Sequence, residues 1–218
     1  MKTDIELRND VLAELRWEPK VNAGDIGVIV KNGVVTLTGN IDSYAEKWAA
    51  EKATERVAGV AAVADEIDVR LPGSSERTDA DIAAAAVNAL KWTLFVPHDR
   101  IKVVVENGWI TLDGEVEWQY QKNSAFDAVY GLIGVKGVLN RITIKSRISP
   151  EDIKKKIETA FQRNAQLDAQ KITVSVNQGK VTLLGSVHSW AERDEASTAA
   201  WAAPGVSEVV NNVTVAPW

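Results

Sequence analysis

Cysteine is absent from this chain of 218 residues, and histidine occurs only twice, as His98 and His188. Without cysteine the chain forms no disulfide and offers no thiolate nucleophile or thiolate metal ligand, which fits a reducing compartment. The two histidines lie in unrelated parts of the sequence, and no further ligands at the spacing of a metal site accompany them. We therefore expect neither a metal nor another cofactor.

Long apolar runs are also missing, since no stretch approaches the roughly 20 apolar residues of a membrane-spanning helix. The first residues, Met1 to Arg8, already follow a charged amphipathic pattern. That pattern lacks the apolar core and the small-residue cleavage site of a signal peptide, so the sequence predicts a cytoplasmic protein. A secreted protein in its processed form would show the same sequence, which leaves a periplasmic location open.

No part of the sequence carries an excess of positive charge. The net charge is −5 overall, and it is −4 over residues 1–70, −1 over residues 71–146 and 0 over residues 147–218. A protein that binds a nucleic-acid backbone carries a basic patch or an excess of lysine and arginine. We therefore expect no nucleic-acid partner.

A catalytic constellation is missing as well. Serines lie near His188 and Asp194, but a nucleophilic triad needs an exposed serine and a base that a third group holds in place. The segment Ser189 to Glu192 is typical of a capped helix start instead. The sequence thus predicts no catalytic residues and a protein that is not an enzyme.

What the sequence has is one glycine pattern in three copies. In each copy two glycines lie six residues apart, and a third follows 20 residues later and precedes a valine. The copies are Gly33, Gly39 and Gly59; Gly108, Gly114 and Gly134; and Gly179, Gly185 and Gly205. They are offset by 75 and then 71 residues, so a unit of about 70 residues occurs three times.

Each unit shows the same succession of periodic patterns. Apolar residues at spacings of three and four predict a first helix, and alternating apolar residues on both sides of Asn-Gly or Gln-Gly predict a β-hairpin. A second helix ends at the Gly-Val step, and a last alternating stretch predicts a third strand. The order α-β-β-α-β predicts an α+β fold of three tandem units, each a small three-stranded mixed sheet with two helices on one face.

Turn-forming residues between the units set the domain boundaries. The stretch from Leu71 to Arg77 contains Pro, Gly and Ser and is typical of a linker, whereas the second join, Lys145 to Ser149, is shorter by about four residues. We predict domains at residues 1–71, 77–146 and 148–218.

The repeated pattern resembles the BON domain, a family named for bacterial osmotically inducible and nodulation proteins. The first copy carries it at Asn32-Gly33, Val35-Thr36-Leu37, Gly39, Gly59-Val60, Val63, Asp65 and Ile67-x-Val69. The second carries it at Asn107-Gly108, Ile110-Thr111-Leu112, Gly114, Gly134-Val135, Asn140 and Ile142. The third carries it at Gly179, Val181-Thr182-Leu183, Gly185, Gly205-Val206, Val209, Asn211 and Val213, with Gln178 in place of the usual Asn.

The resemblance implies a non-catalytic protein. It implies roles in envelope and osmotic stress, contact with phospholipid, and attachment to larger ligand-binding or pore proteins. Some relatives bind potassium, which would leave little trace in a sequence because backbone carbonyls serve as ligands. A binding or scaffold module, a peripheral phospholipid binder and a potassium or small-ligand binder therefore all remain open.

The face of each sheet opposite the helices differs between the units. Alternation along the strands sends Ile29 and Val34 to this face in the first unit, and Val104 and Trp109 in the second. The third unit has mostly polar residues there, including Lys180. We predict that Ile29, Val34, Val104 and Trp109 form an interface, in which these faces bury each other or meet another protein. A lone exposed Trp109 is the alternative.

Two further features remain ambiguous between structural and binding roles. Lys154, Lys155 and Lys156 form the only basic run, which is either a solvated helix face or a lipid or anion contact. Trp17 and Trp92 end the first helices of their units, and their equivalence predicts that they pack structurally. The tryptophans on or beside the second helices favour core packing or a domain interface, with a membrane interface as the alternative.

Overall fold

The computed structural model describes residues 2–145, 149–164 and 169–215. The first repeat consists of helix α1 (Asp4–Trp17), strands β1 (Ile26–Lys31) and β2 (Val34–Ile41), helix α2 (Tyr44–Glu55) and strand β3 (Ala62–Val69). The second consists of α3 (Asp79–Trp92), β4 (Ile101–Glu106), β5 (Trp109–Val116), α4 (Gln119–Val129), β6 (Gly137–Asn140) and β7 (Thr143–Ile144). The third consists of α5 (Pro150–Arg163), β8 (Ile172–Asn177), β9 (Lys180–Val187), α6 (Trp190–Trp201) and β10 (Glu208–Val215).

Each repeat contributes one mixed sheet with its second strand in the centre. The strand orders are β1-β2-β3, β4-β5-β6 and β10-β9-β8, and the short strand β7 also pairs with β5. In the first and third sheets the hairpin partners are antiparallel, and the last strand lies parallel to the central one. This confirms the predicted α+β fold of three α-β-β-α-β units.

The core of the first repeat lies between its helices and one face of its sheet. Leu7, Val11 and Leu15 from α1 and Ala50 and Ala53 from α2 pack in one buried cluster with the inward residues of the strands. Those strand residues are Ile26, Val28, Val35, Leu37, Ile41 and Ile67. Burial of these apolar side chains on one face is the main driving force for the fold, and it leaves the alternate strand residues on the opposite face.

The hairpin turn between the first two strands needs a backbone that few residues adopt. Asn32 and Gly33 have φ values of 51° and 78°, as a two-residue hairpin turn requires. The Asp4 carboxylate accepts hydrogen bonds from their amides at 3.0 and 3.4 Å and so ties helix α1 to the turn. Asp79 does the same for Asn107 and Gly108 in the second repeat, at 2.8 Å to each amide.

The contacts between residues group the chain into two compact units. One comprises residues 1–89, 103–111 and 127–139, and the other comprises residues 90–102, 112–126 and 140–218. The second repeat therefore contributes residues to both units. The division of the chain into domains at 1–71, 77–146 and 148–218 stays a prediction.

Candidate functional site

The outer face of the first sheet carries two exposed apolar side chains. Ile29 on β1 and Val34 on β2 expose 61% and 40% of their surface. Ile29 pairs with Thr36 across the hairpin, and Val34 pairs with Ala62 on the parallel strand. Small and β-branched neighbours leave these two side chains standing above a flat surface.

The second sheet exposes a larger apolar group at the equivalent position. Val104 on β4 exposes 56% of its surface and Trp109 on β5 exposes 53%. The ring of Trp109 rests on Gly137 of β6, where a Cβ atom would collide with the indole. Gly137 therefore supports one side of the ring, while the other side faces solvent.

The third sheet has a charged pair at that position. Lys180 on β9 pairs with Glu208 on β10, and the two side chains form an ion pair at 2.7 Å. The same sheet position therefore differs between the three repeats. It holds Val34 beside Ala62 in the first repeat and Trp109 above Gly137 in the second. In the third repeat it holds Lys180, which is bonded to Glu208. All four side chains of the predicted interface are exposed, and their use in binding a partner stays a prediction.

The basic run on α5 lies beside a groove. Lys154, Lys155 and Lys156 are all exposed, and Lys154 forms an ion pair with Glu158 at 3.7 Å. Lys155, Lys156 and Arg163 line a groove of about 400 Å³ between α5 and the end of α6. Its other lining residues are Thr159, Ala160, Ala199, Ala202, Ala203 and Pro204. Among the described residues, no carboxylate lines this groove, so it combines a cationic rim with a floor of small apolar groups.

The prediction that Trp17 and Trp92 pack structurally is wrong. Trp17 exposes 83% of its surface and Trp92 exposes 89%, because both lie at the last position of their helices and point away from the core. Leu94 and Phe95 follow Trp92 and are 73% and 67% exposed, and Phe95 adopts a φ of 72°. The sequence reasoning missed this loop, although Trp92 at the helix end and the two large apolar residues shortly after it were a visible signal.

Helix α2 of the first repeat contacts the second repeat. The sequence left open whether the tryptophan on this helix packs against protein or lies at a membrane interface. The ring of Trp48 on α2 meets that of Tyr130 edge-on, with centroids 6.3 Å apart, and the Lys52 ammonium lies 4.5 Å above the Trp48 ring. Tyr44 forms a hydrogen bond with the backbone of Val138. Burial raises the pKa of the Tyr44 hydroxyl, and this hydrogen bond opposes the rise.

The histidines and acidic residues form no metal site in residues 2–145, 149–164 and 169–215. The Nε2 atom of His188 lies 2.9 Å from the Lys171 ammonium, and His98 begins a short 3₁₀ turn. Within the same residues, no helix combines the length and apolar character that crossing a membrane requires.

Comparison with known proteins gives a family and two relatives. A family model of the BON domain matches residues 3–70, 78–146 and 149–217. Osmotically-inducible protein Y of Escherichia coli is 31% identical over 146 residues, which cover 65% of this chain and 73% of that protein. Outer membrane lipoprotein DolP of Haemophilus influenzae is 31% identical over 88 residues, which cover 40% of this chain and 46% of that protein.

A solved structure aligns along the chain only loosely. It is the C-terminal domain of CdsD, a structural protein of the type III secretion system of Chlamydia trachomatis. The alignment covers 99% of this chain and 100% of that one, at 14% identity and a TM-score of 0.28. That score is too low to bear on function.

Proposed function

The chain belongs to the BON domain family, and from this premise we propose that it is a non-enzymatic binding protein of the bacterial envelope stress response. It engages a protein partner through the outer faces of its first two sheets. The observation that carries this proposal is the exposure of Ile29, Val34, Val104 and Trp109 at matching sheet positions. Apolar groups clustered on an exposed face are typical of interaction sites, and tryptophan often dominates the binding energy there.

The names of the two relatives support the stress and envelope parts of the proposal. One is called osmotically inducible, and the other is called an outer membrane lipoprotein. The second name favours a location in the envelope over the cytoplasmic location that the first residues predict.

The partner surface should be flat and apolar at its centre. Val34 stands beside Ala62, whose short side chain leaves a shallow space next to it, whereas the Trp109 ring covers Gly137 and offers only its outer side. Aliphatic or aromatic side chains of a partner would contact Val34 and the outer side of the ring and remove both from water. Threonines such as Thr36 surround the apolar centre and suit the polar rim of an interface.

We expect a photo-crosslinking amino acid at position 109 to capture a protein in osmotically stressed bacteria, because this position would be covered by the partner. The same residue at position 180 is the matched control, since Lys180 occupies the equivalent sheet position and bonds Glu208. A probe at position 104 should lose its adduct when Trp109→Ser is added. Equal capture at positions 109 and 180, or capture at neither, would show that the sheet faces are not the binding surface.

Phospholipid binding is the second candidate, and the groove beside α5 favours it. Lys155, Lys156 and Arg163 surround a floor of alanines, which fits a phosphate group attached to an apolar chain. The exposed loop with Trp92, Leu94 and Phe95 provides side chains that partition well into a membrane interface. The cations that line the groove favour an anionic lipid surface over a neutral one.

We expect the protein to float with vesicles that contain phosphatidylglycerol and not with vesicles of phosphatidylcholine alone. Replacing Lys155, Lys156 and Arg163 together with glutamine should weaken the partitioning about 100-fold, because each cation contributes about 1 kcal/mol near an anionic surface. The control replaces Lys20, Lys31 and Lys136, which are exposed lysines away from the groove and from the loop with Trp92. No flotation with either lipid, or equal losses in both triple variants, would eliminate this groove as a lipid site.

A further inference from the structure

Successive repeats meet through two kinds of segment. We define the leading edge of a repeat as the start of its second helix, which covers residues 42–48, 117–123 and 188–194 in the three repeats. We define the glycine turn as the segment that contains the Gly-Val step after this helix, which covers residues 55–60, 130–135 and 201–206. Equivalent positions are related by the offsets of 75 and 71 residues between the repeats.

Both junctions between repeats join a leading edge to the next glycine turn. In the first, Tyr44 and Ala45 line a crevice of about 80 Å³ together with residues 130–135. In the second, the Gly205 amide donates a hydrogen bond to the Glu117 carbonyl at 2.7 Å. Position 117 is the equivalent of 42, and position 205 is the equivalent of 134. The contact is therefore repeated along the chain in one direction.

Burial shows which of these segments are covered. Val135 and Val206 are buried, together with the glycines that precede them, in the two glycine turns that follow a leading edge. In the first repeat the corresponding Gly59 is exposed and Val60 is only half-buried. The first glycine turn therefore corresponds to the surface that a leading edge covers in the later repeats, but its own residues are more exposed.

The leading edges of the first and third repeats show the complementary difference, whereas in the second repeat Gln119 is half-buried and Tyr120 and Asn123 are exposed. Tyr44, Ala45 and Trp48 in the first repeat are all half-buried. Their equivalents in the third repeat are Trp190, Ala191 and Asp194, and all three are exposed. Trp190 exposes 67% of its surface, with the Arg193 guanidinium 5.4 Å from its ring. An aromatic side chain therefore stands at the position where Tyr44 makes its contact with the second repeat, but it faces solvent.

We propose that the leading edge of the third repeat docks onto the first glycine turn of a second copy of this chain. The two surfaces are the two halves of a contact that the chain already makes twice, so the new junction continues an established interface. Such a head-to-tail contact is heterologous, and it produces either a closed ring or an open series of copies. The proposal does not rest on the use of the outer sheet faces, because it involves different residues.

The proposed junction between two copies differs in its residues from the junctions within the chain. These differences predict that the contact between copies is the weaker one. The aromatic pair of Trp48 and Tyr130 has Asp194 and Glu55 as its equivalents. Arg56 follows Glu55, and its side chain is 52% exposed although it bonds Glu14 and Glu18. Asp194 and Glu55 are both acidic, so this pair opposes the new junction, while Arg56 beside them is already bonded to Glu14 and Glu18. Exchange of an aromatic contact for two like charges lowers the affinity, and added salt weakens the repulsion.

The absence of cysteine from the sequence allows a direct test by crosslinking. Ala45 and Ile133 line the same crevice of the first junction, and their equivalents are Ala191 and Ala58. Mixing Ala191→Cys with Ala58→Cys under mild oxidation should give a disulfide-linked dimer of the two variants. Mixing Ala191→Cys with Lys31→Cys, whose cysteine lies outside both segments, should not. Equal yields in the two mixtures, or no dimer in either, would overturn the proposal.

Sedimentation of the whole chain provides an independent test. The weight-average mass should rise with concentration, and Trp190→Ser should raise the dissociation constant at least 10-fold. Trp17→Ser removes another exposed tryptophan that lies outside the leading edges and serves as the control. A chain that stays monomeric at all concentrations, or that associates equally well with serine at position 190, contradicts the proposal. Trp109→Ser in the same assay separates this surface from the outer sheet faces.

Discussion

Replacing Gly39 with alanine is expected to lower the free energy of unfolding of the first repeat by about 3–5 kcal/mol. Gly39 lies on the central strand β2 with a φ of 135°, a conformation that costs other residues about 1–3 kcal/mol. A Cβ atom there would also collide with the carbonyl oxygen of Asp25. Relief of this collision requires a backbone shift at the start of β1, and overpacking of this kind costs about 1–3 kcal/mol more.

Chemical denaturation of the whole chain measures the effect, with hydrogen exchange to locate it in the first repeat. Gly73→Ala is the matched control, because no atom lies within 4 Å of a Cβ built at Gly73. We expect the control to change the stability by less than about 0.5 kcal/mol. If Gly39→Ala were as stable as the control, the close approach of Gly39 to Asp25 would not be a real constraint on the fold.

The fold could be predicted from the sequence because its determinants are local. Asn32-Gly33 and Asn107-Gly108 specify hairpin turns by themselves, and alternating apolar residues specify which face of the strand is buried. Even Gln178, which departs from the pattern, adopts a φ of 48° and forms the same turn. Because these signals occur in three copies, they predict the order of helices and strands without any knowledge of tertiary contacts.

The binding surfaces could be predicted only in part, because burial depends on neighbours distant in sequence. Strand alternation placed Ile29 and Trp109 on an outer face, and both are exposed. A different argument, from equivalent positions in two repeats, predicted that Trp17 and Trp92 pack structurally, but both lie exposed where a helix ends. The contact of Trp48 with Tyr130 joins two repeats. The periodic pattern of one repeat does not predict it, because its two residues belong to different repeats.

Replacing Phe161 with alanine is expected to cost the third repeat about 3–5 kcal/mol. Phe161 is 1% exposed and packs in one cluster with Ile153, Ile157 and the strands of the third sheet. Truncation to alanine removes the whole ring and leaves a cavity that the surrounding side chains of α5 and the sheet can close only in part. The first and second repeats have Leu15 and Leu90 at this position, both buried, so Phe161→Leu is the milder control. We expect that variant to lose less than half as much stability.

Hydrogen exchange of the Phe161→Ala variant also tests how the repeats are coupled. If residues 148–218 form a separate domain, faster exchange will be confined to the third repeat, and the amides of β1 and β2 will keep their protection. The junction between the second and third repeats includes one backbone hydrogen bond, from the Gly205 amide to the Glu117 carbonyl at 2.7 Å, which contributes about 0.5–1.5 kcal/mol. That bond alone would transmit only part of a loss of 3–5 kcal/mol. Faster exchange throughout residues 4–69 would therefore contradict the three-domain division and show that the repeats unfold together.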